Sequence, residues 1–109
     1  IIFVSEVIEP LAKQFKQYFK AADVRGTVLE KNKDGVFTGG IKRLCKGEEK
    51  KRQVMEMAKK YNLDLSQSYA YGDALSDIAM LSSVRYACAV NPEKKLEQEA
   101  KKCHWEILH

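Results

Sequence analysis

The chain is short of the residues that staple small proteins together. Its three cysteines, Cys45, Cys88 and Cys103, are odd in number, widely spaced and without a CxxC pair. That argues against a disulfide framework or a zinc site, and predicts small buried apolar cysteines in a reducing, cytoplasmic setting. Long apolar runs are also missing: none approaches the roughly 18 residues that cross a bilayer, so no membrane partner is expected. The apolar start IIFV is four residues long and has no basic segment before it, unlike a signal peptide. No GxGxxG follows any apolar run, which disfavours a dinucleotide-binding module. Internal repeats, low-complexity tracts and linkers are absent. Charge of one sign is not in strong excess, with 19 basic against 15 acidic side chains. The densest basic stretch, KGEEKKR (Lys46 to Arg52), reads as a solvated helix start rather than a nucleic-acid surface. A net charge of +4 suits a small phosphorylated partner without identifying one.

What is present is enough for one domain. The 109 residues are 45% hydrophobic and 31% charged, in the range of an ordinary globular protein with a single core. The chain begins at Ile1, without Met and inside an apolar run, and is therefore read as part of a longer protein. IIFV (Ile1 to Val4) has the β-branched pattern of a strand buried on both faces, with Ser5 at its carboxyl end. Ile8, Leu11, Ala12, Phe15 and Phe19 then recur at helical spacing, with Pro10 early enough for a first turn.

An extended segment follows at Val24 to Glu30. Turn chemistry at Asp34-Gly35, and again at Gly39-Gly40, makes residues 24–41 a small hairpin excursion. A second amphipathic helix covers Gly47 to Tyr61. Strands are expected at SYAY (Ser68 to Tyr71), RYACAV (Arg85 to Val90) and WEIL (Trp105 to Leu108). A helix begins after Asn91-Pro92, with Leu96, Ala100 and Cys103 on one side. Alternating strands and helices predict an α/β, Rossmann-like architecture, a mainly parallel sheet with helices on both faces.

Ligands of such sheets bind beyond the carboxyl ends of the strands. The stretch YGDALSDIAML puts Asp73 and Asp77 there, four residues apart and just after Gly72. Two readings are open. Asp73 is a helix cap and Asp77 a first-turn acid favoured by the helix dipole. Or Asp73 offers oxygen to Mg²⁺, a hard ion that takes one or two carboxylates and fills its shell with water and phosphate oxygens, while Asp77 orders the loop. Ser5 is open to the same choice, as a helix cap or as a hydroxyl for a phosphate oxygen.

In order along the chain, IIFVSEVIEPLA, GTVLEKNKDGVFTGGI, CKGEEKKRQVMEMAKKYNLDLSQSYAYGDALSDIAML and VNPEKKLEQEAKKCHWEIL resemble the haloacid dehalogenase superfamily of phosphohydrolases, in its phosphoserine phosphatase-like subfamily. The resemblance implies roles. Ser5 matches the hydroxyl that bonds the transferring phosphoryl group, and Lys50 the lysine that binds that group and the nucleophile, with Lys46 and Lys51 as alternatives. Asp73 matches the Mg²⁺ ligand of GDxxxD, and Asp77 its outer-shell or loop-ordering second acid. Ser5 and Lys50 are thus the catalytic candidates. The implied chemistry is in-line attack by an Asp carboxylate on a phosphomonoester, giving an aspartyl-phosphate that water hydrolyses, with Mg²⁺ as cofactor.

The chain departs from the family in one respect that matters most. It contains no DxD, so neither the nucleophile nor the general acid/base is here, and the strand carrying them in the family, between those matching IIFV and SYAY, is absent along with the cap. These residues are expected to hold half an active site and to be inactive alone. The alternative is a non-catalytic remnant, or a phosphate- or metal-binding domain. Glu6-Val7 replaces the usual Gly-Gly after the motif-two serine, and GDALSD lacks the usual Asn, which leaves small phosphomonoesters other than phosphoserine open. Without the middle strand, IIFV and SYAY must pair directly or expose edges, and exposed edges predict strand exchange or a homo-oligomer.

Overall fold

A computed structural model describes residues 1–109. Its first strand runs further than the apolar run suggests. β1 (Ile2–Ile8) pairs in parallel with β2 (Asp23–Lys31), and the register slips between Val4 and Ile8. Ser5 therefore lies inside the strand, at the slip, where its Oγ accepts a hydrogen bond from the Val7 amide at 3.2 Å. Helix α1 (Glu9–Phe19) begins directly after β1, with Pro10 in the first turn, where a missing N–H leaves no helix bond unmade. Of the stripe expected to be buried, only Ala12 is; Leu11, Phe15 and Phe19 stay roughly half exposed.

β3 (Phe37–Arg43) returns antiparallel to β2, so the hairpin is real and slightly longer than residues 24–41. Asn32 holds its turn, the side-chain oxygen accepting from the amides of Asp34 and Val36. The second turn expected at Gly39-Gly40 does not form. Both glycines lie within β3, where the pairing with β2 slips instead.

Helix α2 (Glu48–Tyr61) packs against β1. Side chains alternate along a strand, and on β2 Asp23 reaches Lys60 and Tyr61 of α2, whereas Gly26 backs onto Glu9 of α1. Past α2, β4 (Tyr69–Gly72), β5 (Tyr86–Val90) and β6 (Glu106–Leu108) pair in parallel, with α3 (Ile78–Leu81) and α4 (Lys94–Lys102) between them. α4 ends one residue before Cys103, which turns out to solvent rather than continuing the buried side formed by Leu96 and Ala100. Cys45 and Cys88 are buried, and burial pushes both thiols up, keeping them protonated.

The strands do not form one sheet. They form two of three strands each, ordered β1-β2-β3 and β4-β5-β6, and β1 and β4 do not pair. Between these two unpaired edges lies an apolar groove of about 640 Å³, lined among others by Phe3, Val4, Val54, Met57, Ala70 and Tyr71. The closed core sits on the second sheet, where Met80, Leu81, Ala87, Ala89, Leu96 and Ala100 pack together.

Candidate functional site at the carboxyl ends of the strands

Two glycines make the site sterically workable. Gly47 enters α2 with φ 59° and ψ −125°, a region that residues with a Cβ avoid, and this turn starts the helix that carries Lys50. Gly72 ends β4 so close to Asp77 that an added Cβ would lie 2.8 Å from the Asp77 Cβ. Lys50 and Asp77 consequently meet: Nζ donates to Oδ1 at 2.6 Å, with the side chains only 11% and 4% exposed. The other oxygen of Asp77 accepts from the amides of Asp73 at 3.1 Å and Ala74 at 3.2 Å. One buried carboxylate thus fastens a helix, a strand end and a loop, and each of its oxygens has a partner.

Half of the helix-cap reading holds: Asp77 is an acid in the first turn, as expected, but the N-cap position is Ala74 and not Asp73. Asp77 caps the turn, and Asp73 caps nothing. The Asp73 side chain is exposed and makes neither a hydrogen bond nor an ion pair, while its carbonyl accepts from the Glu93 amide at 2.9 Å. Glu93 in turn accepts from the Leu75 amide at 3.1 Å, tying the start of α4 to the aspartate loop. Sequence reasoning missed Glu93, whose only signal is an acid just after Asn91-Pro92 at a strand's carboxyl end.

Ser5 belongs to the other sheet. No hydrogen bond links it to Lys50, Asp73 or Asp77, but its strand end is tied to the approach to α2. Thr27 Oγ1 donates to the Glu6 carbonyl at 2.5 Å and accepts from the Cys45 amide at 3.1 Å. Lys46 pairs with Glu6 at 3.7 Å, both half exposed. Lys46 is engaged by Glu6 and Lys51 has no ion pair, so Lys50 alone of the three lysines bonds an aspartate of the loop. Thr27 was also missed; it stands in GTVLE as one polar residue among strand formers.

The donor set can be tested for a metal. No three His, Cys, Asp or Glu gather anywhere in the chain, and Asp77 is committed to Lys50 and two amides. A cation held by these residues alone would rest on the free Asp73 carboxylate and on water. That suits Mg²⁺, which keeps several waters, far better than zinc, which needs several protein ligands.

A second polar cluster lies at the other end of β2. Asp23 accepts from Tyr61 Oη at 2.6 Å, from Lys60 Nζ at 3.2 Å and from the Val24 amide at 2.8 Å. The Tyr61 hydroxyl is the main reason its carboxyl is held well below the usual carboxylate range. Asp23 pairs with Ile2 at the amino end of β1, so this cluster ties helix to sheet away from the aspartate loop.

Comparison with known proteins gives the family and the fold. Residues 1–82 match the model of the haloacid dehalogenase-like hydrolases. A protein of Streptomyces azureus described as inhibiting morphological differentiation is 36% identical over 104 residues, covering 95% of this chain and 36% of its own length. A phosphoserine phosphatase of Mycobacterium tuberculosis (strain ATCC 25618 / H37Rv) is 39% identical over 83 residues, 75% of this chain and 27% of that protein. The chain thus spans about a third of these relatives. Among solved structures, a Bordetella pertussis Tohama I protein of unknown function superposes with a TM-score of 0.85 at 24% identity, covering 99% of this chain and 50% of that one. An apo phosphoserine phosphatase does so at 0.80 and 21% identity, over 98% and 52%. With an α/β fold of parallel strands and helices and a matched segment running from β1 through the aspartate loop, the chain belongs to the haloacid dehalogenase-like hydrolase family.

Proposed function

We propose that this chain is the C-terminal part of a Mg²⁺-dependent phosphatase acting on a small phosphomonoester through an aspartyl-phosphate. The nucleophilic Asp lies outside these residues, and the chain alone is inactive. The buried Lys50–Asp77 pair beside the free carboxylate of Asp73 carries the reading. A merely structural turn would need the cap but not an exposed, unpaired acid next to a desolvated ammonium. In this site the Asp77 carboxylate holds the Lys50 ammonium at the strand ends, where it offsets the charge on a phosphoryl group. Ser5 Oγ and the adjacent amides contribute hydrogen bonds from the facing sheet, and Asp73 holds the metal. When bound, Mg²⁺ supplies further charge neutralisation at the phosphoryl oxygens.

The same reading gives the groove an occupant. A strand parallel to both β1 and β4 would join the two sheets and bring its carboxyl end out between Ser5 and Asp73, where the nucleophile is needed. In the isolated chain the open edges instead favour strand exchange between copies. Concentration-dependent dimers in sedimentation velocity are expected, and a sharp monomer at high concentration counts against it.

The test of activity uses the full-length gene product. Hydrolysis of p-nitrophenyl phosphate should require Mg²⁺ and fall about a hundredfold or more in Asp73→Ala. Equal activity in wild type and variant refutes the metal assignment. On the present chain, broadening of the Gly72, Ala74 and Leu75 amide resonances by Mn²⁺, lost in Asp73→Asn, reads the metal without turnover. The alternative, a non-catalytic phosphate- or metal-binding domain, predicts the broadening but no hydrolysis by the longer protein.

A further inference from the structure

α2 separates two cavities of opposite character. On the flank away from the apolar groove is a cavity of about 620 Å³, lined by Arg25, Lys42, Arg43 and Arg52 with only Glu9 and Glu49 as acids. Both acids are already engaged. Glu9 accepts from the Gly26 amide at 3.2 Å and from Arg43 at 3.4 Å. Glu49 accepts from Gln53 at 2.9 Å and lies 3.5 Å from Arg52 and 3.9 Å from Arg43. Arg25 and Lys42 have no ion pair, so the cavity keeps a surplus of two positive charges. The Nε atoms of Arg25 and Arg43 are moreover buried without a hydrogen-bond acceptor.

A solvated basic patch would leave its guanidinium donors to water. Here two of them are shut away from it, which costs free energy until an acceptor is supplied. Arginine forks match the oxygens of phosphate, and a net positive recess concentrates anions. Four cations drawn from β2, β3, the end of β3 and α2 converge on one space, against two acids.

We infer that this cavity is an anion site for a phosphate group, separate from the Lys50 corner. Arg25 and Arg52 grip from the β2 and α2 sides, and Lys42 and Arg43 close the hairpin side. Glu9 and Glu49 hold Arg43 in place, so the anion is bound chiefly by the two uncommitted cations and Arg52. The site lies one residue along α2 from Lys50, since Glu49 lines it, but on a different face of the helix.

Titration of the chain with inorganic phosphate in EDTA, followed by amide and arginine Nε resonances, tests this. Saturable shifts at Arg25 Nε–H and in residues 42–44 are expected, with binding about tenfold weaker in Arg52→Gln and in Lys42→Gln, the loss of one charge-assisted hydrogen bond. Both side chains are exposed, so neither substitution endangers the fold. Titration with glycerol phosphate separates sources: tighter binding assigns a phosphoryl group carried on a larger molecule, weaker binding assigns the free ion, and both uphold the site. Absence of shifts at Arg25, or unchanged binding in both variants, overturns it. Shifts confined to Ser5 and Lys50 also overturn it while leaving the proposed phosphoryl-transfer site standing.

Discussion

The two sheets contain three strands each yet are built to different standards. The β4-β5-β6 half closes over its own core, with Leu81, Ala89, Leu96 and Ala100 fully buried. The β1-β2-β3 half has an amphipathic helix, α1, that buries only Ala12 and leaves Tyr18 80% exposed. The difference teaches where cohesion comes from. The second half is held by apolar packing. The first is held by polar ties to α2, through Asp23 with Lys60 and Tyr61 at one end of that helix. At its other end, Lys50 and Asp77 tie α2 to the second half. α2 is therefore the fastening between them.

Breaking that fastening should have the largest effect. Lys50→Met leaves the buried Asp77 without its cation, at a cost of about 4 kcal/mol in urea denaturation. Leu96→Ala opens a cavity in the second half and should cost about 3 kcal/mol by the same measurement. Tyr61→Phe removes a charge-assisted hydrogen bond from the first half's tie, a loss of about 1.5 kcal/mol near neutral pH. Phe15→Ala, in the half-exposed stripe of α1, should cost under about 1 kcal/mol. Comparable losses for Leu96→Ala and Phe15→Ala would show that the two halves are packed alike.

pH sharpens the contrast. Asp23 has a folded-state pKa depressed below its unfolded value of about 3.9. Between the two values the folded state binds fewer protons than the unfolded state, so stability falls as pH falls. The contribution is complete above about pH 5 and lost progressively below it. Tyr61→Phe removes the main cause of the shift and should flatten the acid decline seen in stability measured from pH 6 to pH 2.

Much of this was legible because it is local. The helical spacing in Glu48 to Tyr61 places α2 to within a residue, and GDALSD announces two acids at a strand end. Lys50 could be picked from a run of lysines only through the family resemblance, which implies its separation from Asp73; in the structure it alone of the three lysines bonds an aspartate of the loop. The division of labour between Asp73 and Asp77 was not legible from spacing alone. Which carboxylate turns inward depends on the backbone path after Gly72, and that path exists only once β4 is paired and α2 is docked. Ser5 was placed after a strand because its run of apolar residues stops there. The pairing that carries β1 on to Ile8 is made with residues more than fifteen positions away, which no local pattern reports.

The gap between β1 and β4 has a kinetic signature of its own. Amides in the middle of an α/β sheet ordinarily exchange with solvent slowest, because only global unfolding frees them. Here the innermost strands by position are edges by bonding. The amides of β1 and β4 that point into the groove should exchange orders of magnitude faster than their neighbours bonded to β2 and β5. Slow hydrogen exchange would then spread across the whole width of the sheet only when the groove is filled, giving a readout of assembly that needs no catalysis at all.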